Sequence, residues 1–235
     1  MKKRHVLFLI SLLLLTVAAS HSQPAPLQTR PPQFLFLPEV VRNASPVVCG
    51  AWSQVNNNAF GLGAPPYDSE EGFEVLEFGG KLYLGMEADN LLGARLWRTK
   101  AGVTVPASQA DWEEVIADAS GKPFGVTPVA QNDHIDSLAE FNGYIYASTA
   151  NQGSSTYGTR VFRSATGNPY TSSPWQDAIS AYGAGFGDGN NTNFKDMQVF
   201  DGRLCGGTQN WVTGTQVWCT SDGTTWTQNN NHGFG

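Results

Sequence analysis

A pattern that recurs about every 60 residues constrains this chain more than any other feature. Phe78, Phe141 and Phe200 are spaced by 63 and 59 residues, and Trp52, Trp112, Trp175 and Trp226 by 60, 63 and 51. Each of the three Phe anchors is followed by a two-residue turn: Gly79-Gly80, Asn142-Gly143 or Asp201-Gly202. Such pairs accept positive φ at both central positions of a tight hairpin. A short apolar strand follows (KLYLGM, YIYAST, RLCGGT), then a loop, then a third strand (ARLWRT, TRVFRS, TQVWCT), then the Trp that opens a fourth. A fixed period carrying turn residues at fixed offsets marks a repeat architecture.

No segment beyond the N-terminus sustains a 3.6-residue apolar period, so helices are not expected. Four antiparallel strands per unit describe a propeller blade. The expected fold is therefore all-β, made of four-stranded antiparallel blades of a β-propeller, about three of them, with units near 73–125, 134–187 and 194–235, the last shortened. A β-sandwich of unrelated hairpins is the competing arrangement, and it leaves the recurring anchors without a reason. A closed propeller needs about four blades or more, so the expectation is an incomplete propeller from a longer parent, with open faces that bind apolar dyes or self-associate.

The third unit contains TSDGTTW, Thr220 to Trp226. This resembles the Asp box of bacterial neuraminidase repeats, Ser-x-Asp-x-Gly-x-Thr-Trp, with one residue missing between Asp222 and Gly223. The other units keep a Gly and the Trp but lose the Asp. The resemblance spans roughly residues 49–235. It implies a structural turn between third and fourth strands, built by Ser221, Asp222 and Gly223, with Trp226 packed between sheets. It implies no catalytic role for the box.

The chain begins MKKRHVLFLISLLLLTVAASHSQ. A basic start, a 14-residue apolar stretch from Val6 to Ala19 and small residues after it read as a secretory signal peptide over 1–22. Residues 23–48 read as a Pro-rich spacer, and 49–235 as the propeller segment. Removing the signal takes away three of 14 basic residues, leaving 11 against 20 acidic ones, a net charge of −9. That disfavours nucleic acid and anionic membranes as partners. No span is expected after cleavage, and the protein is expected to be secreted or at the cell surface.

Loops at one end of a propeller are where ligands bind. The loops between second and third strands, and those between units, supply Asn90, Asn151, Tyr157, Asn210, Trp211, His134, Asp188 and Asn190. Aromatics beside amides suit stacking and hydrogen bonding to a sugar, although Asn, Asp and Gly are also turn formers. Glu74, Asp136 and Asp196 lie at the start of inner strands. Glycoside hydrolysis needs two placed carboxylates, or a Tyr with a helper acid. Neuraminidases resemble one another in an arginine triad, and none can be assembled here: Arg95 and Arg160 sit on third strands, and Gln216 replaces them in the last unit. No catalytic residue is assigned. His and Cys spacing matches no zinc site. GDGNN at Asp188 is compatible with Ca²⁺ but has few charged oxygens beside it, so no cofactor is expected. The resulting reading is a secreted, non-enzymatic binding or scaffold module, for carbohydrate or an extracellular protein. The alternative is a fragment of a neuraminidase-like glycoside hydrolase without its catalytic blades.

Two units place a Tyr on the second strand (Tyr83, Tyr146) against an Arg on the third (Arg98, Arg163). The third unit has Cys205 and Cys219 at these positions. In a hairpin centred on Val212 the two cysteines are opposite one another, within reach of a disulfide, and an exported compartment permits its formation. Cys49 would be the odd thiol.

Overall fold

The structure is a computed structural model that describes residues 53–61, 69–88, 93–126, 132–151 and 157–235. The signal peptide, the spacer, Cys49 and Asn90 lie outside the described residues.

Twelve strands form three antiparallel four-stranded units. The first holds β1 (Ser69–Phe78), β2 (Lys81–Ala88), β3 (Arg95–Thr99) and β4 (Trp112–Glu114). The second holds β5 (His134–Phe141), β6 (Tyr144–Ala150), β7 (Val161–Ser164) and β8 (Gln176–Asp177). The third holds β9 (Asn193–Phe200), β10 (Arg203–Gln209), β11 (Val217–Thr220) and β12 (Trp226–Gln228). The third unit, expected to be shortened, thus contains all four strands. Each unit is a meander in chain order, and one bridge, Glu87 to His134, joins the first two into a continuous sheet. These are propeller blades. No helix among the described residues is long and apolar enough to cross a membrane.

The first hairpin of every blade turns through left-handed backbone at two successive residues. The φ pairs are 57° and 71° at Gly79-Gly80, 51° and 76° at Asn142-Gly143, and 49° and 70° at Asp201-Gly202. Asn and Asp tolerate this conformation, and its twist matches that of the flanking strands.

Blades pack face to face. Phe78, Tyr83 and Leu96 of blade 1 share a core with Ile135, Phe162 and Trp175 of blade 2. Phe141, Tyr146 and Val161 of blade 2 share another with Phe194, Leu204 and Trp226 of blade 3. Polar groups fasten the same seams. Tyr83 Oη donates to the Gly167 carbonyl at 3.2 Å, and Arg98 Nη1 donates to that carbonyl at 2.8 Å. One blade on, Tyr146 Oη donates to the Gly223 carbonyl at 3.4 Å, with Arg163 Nη1 3.5 Å from the Tyr146 hydroxyl. Each Tyr–Arg pair therefore holds the β-turn of the following blade.

That turn is made by a hydroxyl. Ser164 Oγ accepts from Gly167 N at 2.9 Å, and Thr220 Oγ1 accepts from Gly223 N at 2.8 Å. In blade 3 Asp222 Oδ1 also accepts from Thr224 N at 2.8 Å and Thr225 N at 2.6 Å. These backbone donors hold the Asp222 carboxyl well below the usual carboxylate range. Trp226 is buried, and its Nε1 donates to the Ala178 carbonyl at 3.2 Å.

Blade 3 lacks the Tyr–Arg pair. Cys205 and Cys219 face each other in register and are joined as a disulfide, with Cα atoms 4.1 Å apart. The bridge closes the β10–β11 hairpin where the other blades are held by hydrogen bonds to a neighbour. Cys205→Ser/Cys219→Ser is expected to lower stability by about 2–3 kcal/mol, from loop-closure entropy restored to the unfolded chain. Chemical denaturation of the oxidised protein and the double variant checks this, and equal midpoints would contradict it.

A second repeated device lies in the connections before the blades. Phe60, Phe124 and Phe186 all adopt left-handed backbone, with φ of 51°, 52° and 57°, and each precedes a Gly. Each stacks on the central aromatic of a third strand: Phe60 on Trp97 at 4.7 Å, Phe124 on Phe162 at 3.9 Å, and Phe186 on Trp218 at 4.7 Å between ring centroids. A bulky side chain at positive φ is disfavoured by its own Cβ, so packing must hold it there.

Candidate functional site: a cleft at the mouth of the inner strands

The inner strands β1, β5 and β9 each carry a register irregularity near their first residues: between Gly72 and Glu74, between Ile135 and Ser137, and opposite the step from Cys205 to Gly207. Bulges of this kind re-aim side chains. Here they fall at Asp136 on β5 and Asp196 on β9, the latter with φ of 52°. Lys195 Nζ lies 3.8 Å from Asp136 Oδ1, tying blade 3 to blade 2 at this end. Glu74 on β1 senses the same region: burial raises its pKa, and the Asp196 carboxylate raises it further.

Beside these residues is an open cleft of about 560 Å³, lined by Lys195, Asp196, Thr208, Gln209, Trp211 and Thr215. Trp211, at the tip of the β10–β11 loop, is 86% exposed. A nearly free indole is unusual on a folded surface, because so large an apolar ring is normally buried. The loop that presents it is fastened by the Asn210 side chain. Asn210 Oδ1 accepts from Val212 N at 2.9 Å and Thr213 N at 2.8 Å, while Asn210 Nδ2 donates to Asp188 Oδ2 at 3.0 Å and Asn191 Oδ1 at 2.9 Å.

Apart from Trp211, the described residues expected at the site do not line this cleft. Asn151 and Asn210 are buried, and Asn151 Nδ2 donates to the Gly158 carbonyl at 3.3 Å. Asp188 Oδ1 accepts from Asn190 N and Nδ2, each at 2.9 Å, and Oδ2 also receives Thr213 Oγ1 at 3.3 Å. Burial opposes ionisation of Asp188, but these donors outweigh it and its pKa is lowered. Both carboxylate oxygens are thus engaged by the protein, and among the described residues no group of three or more His, Cys, Asp or Glu is placed to hold a metal. Tyr157 is partly exposed in the β6–β7 connection.

His134, read from sequence as a loop residue, is the first residue of β5 and only 1% exposed. Its Nδ1 is 3.1 Å from Asp133 Oδ1 and its Nε2 3.1 Å from Asp136 Oδ1. Burial alone would lower its pKa, but the two carboxylates outweigh burial and push it up to about 9. Protonated, it faces a carboxylate on either side, with Nε2 in hydrogen-bond geometry to Asp136 Oδ1. This Asp133–His134–Asp136 cluster supports the cleft through the Asp136–Lys195 contact.

The arginines serve the blades. Arg95 and Arg160 pair with Glu114 and Asp177 at 3.3 and 2.8 Å, and Arg98 pairs with Glu113 at 2.8 Å. They do not converge on the cleft.

The fold and this cleft define a β-propeller-type repeat module with an aromatic-flanked cleft. No family model and no curated protein sequence matches the chain. Among solved structures it is similar to a glycosyl hydrolase from Bacteroides ovatus, at 12% identity and a TM-score of 0.41 over 70% of this chain and 50% of that one. It is also similar to Bacteroides ovatus xyloglucan PUL GH43B, at 12% identity and a TM-score of 0.39 over 70% of this chain and 31% of that one. The chain thus spans half or less of the length of these two proteins.

Proposed function

We propose that the chain is a secreted, non-enzymatic β-propeller module that binds carbohydrate in the Trp211 cleft. The observation that carries this reading is the exposed indole of Trp211 at the edge of a cleft that offers a carboxylate, an ammonium, an amide and hydroxyls. The apolar face of a sugar ring stacks on an indole, and ring hydroxyls bond to the polar lining. The Asp box belongs to this reading only as a structural turn, and the N-terminal signal supplies the export.

The test is a glycan array followed by titration of the best ligand. Trp211→Ala is expected to weaken binding about ten-fold, since roughly 60 Å² of apolar surface withdrawn from water on the indole is worth about 1.5 kcal/mol. The substitution touches no core residue, so the variant keeps the wild-type unfolding midpoint. Equal affinities of Trp211→Ala and wild type, or no glycan bound at millimolar concentration, would refute the proposal.

One observation favours a second reading, glycoside hydrolysis. Glu74 and Asp196 are carboxylates of one inner-strand mouth, and burial, then the Asp196 charge, raises the Glu74 pKa. A carboxyl raised in this way suits the general acid of a carboxylate pair. Release of reducing ends from the same glycans, abolished by Glu74→Gln, would establish it.

A further inference from the structure

The repeated contacts that join the blades stop, unsatisfied, on one surface. Phe78 and Phe141, which end β1 and β5, are 8% and 5% exposed because the next blade covers them. Phe200 ends β9 at the equivalent position and is 70% exposed, with Val199 beside it at 51%. The connection after β12 repeats the left-handed Phe-Gly device: Phe234 has φ of 66° and precedes Gly235. Its three predecessors each stack on a third-strand aromatic. Phe234 is 71% exposed. A phenylalanine in that backbone conformation, without the stacking that holds its counterparts, carries the strain but not the contact.

We infer that the outer face of blade 3 is a docking surface for a further four-stranded antiparallel blade of the same repeat chemistry, whose third strand offers an aromatic ring to Phe234. This surface continues the two interfaces already formed: the same strand-end Phe and the same Phe-Gly turn, in the same order, twice buried and once bare. The surface also differs from those interfaces in a defined way. Cys205 and Cys219 stand where Tyr83–Arg98 and Tyr146–Arg163 hold the Gly167 and Gly223 carbonyls. The docked blade is therefore held by apolar contacts, and its own turn need not present a carbonyl to this face. A second copy of the chain does not meet the requirement, because Trp97, the third-strand aromatic of its first blade, is already covered by its own Phe60.

The probe is the full chain extended after Gly235 by a second copy of residues 126–187. This places a blade 2 sequence behind Phe234-Gly235 just as it follows Phe124-Gly125. Apolar dye binding is expected to fall at least several-fold relative to the unextended chain. The appended unit is expected to resist protease at least ten-fold longer than in the Phe234→Ala and Phe200→Asp versions of the same extended chain. Both side chains are surface-exposed in the 235-residue chain, so these substitutions leave blades 1 to 3 folded. Unchanged dye binding, or protection insensitive to both substitutions, would overturn the inference. So would a discrete dimer of the unextended chain that loses dye binding on assembly and is abolished by Phe200→Asp, since that result assigns the surface to a second copy.

Discussion

His134→Leu is expected to destabilise the protein by about 3–5 kcal/mol, the range for removing one member of a buried ion cluster. The substitution removes the imidazole that lies 3.1 Å from both the Asp133 and the Asp136 carboxylate. The wild-type protein should show the same interaction as a pH dependence. Its folded-state pKa is raised to about 9, above the ordinary value of 6.5. A raised histidine pKa means that the folded state binds the proton more tightly, so the stabilisation is fully present below about pH 6.5. It is lost as pH rises from there through about 9. The loss amounts to about 3 kcal/mol for a shift of this size. Urea unfolding at pH 6, 8 and 10 measures it, as the difference in slope between wild type and His134→Leu. Tyr83 and Tyr146, whose pKa values burial raises, also begin to cost stability near pH 10 as the unfolded chain ionises, but they do so in both proteins and cancel in the difference. Parallel profiles for the two proteins would show that the imidazolium contributes nothing.

Gly223→Ala is expected to cost about 3–4 kcal/mol, from strain at positive φ together with overpacking. Gly223 has φ of 84°, and a Cβ there would lie 1.9 Å from the Tyr146 hydroxyl and 3.1 Å from Arg163 Nη1. The seam between blades 2 and 3 would have to open. Gly167→Ala should behave alike at the seam between blades 1 and 2, where the Cβ would lie 2.2 Å from the Tyr83 hydroxyl. Adding Tyr146→Phe to Gly223→Ala removes the oxygen that the methyl meets, so the double variant should recover part of the loss. A coupling of about 1 kcal/mol or more in the double-mutant cycle is the expected sign of direct contact. Additive effects, or a loss below about 1 kcal/mol for Gly223→Ala, would mean that the seam yields without consequence.

These two sites differ in how far they could be read in advance. Tyr83 opposite Arg98, and Cys205 opposite Cys219, follow from hairpin arithmetic: a two-residue turn sets the register, and register sets which side chains share a face. That the Tyr–Arg pairs hold a carbonyl 84 residues away in one case and 77 in the other does not follow, because it depends on how one blade lies against the next. The Phe-Gly pairs recur as letters at 60–61, 124–125 and 186–187, but nothing local marks their left-handed backbone, since phenylalanine rarely adopts it unless a distant ring is there to receive it.

What the sequence determined by itself is the strand content, the blade period, the hairpin turns and the cysteine register, all of which rest on interactions between residues close along the chain. The tertiary structure decided which candidate residues reach solvent. Asn151, Asn210 and His134 have the same turn-forming, polar character in the sequence as residues that bind ligands, yet they are buried, while Trp211, whose apolar ring would ordinarily be buried, is exposed. Burial depends on the packing of one blade against another, and local sequence carries no record of what will lie above a side chain.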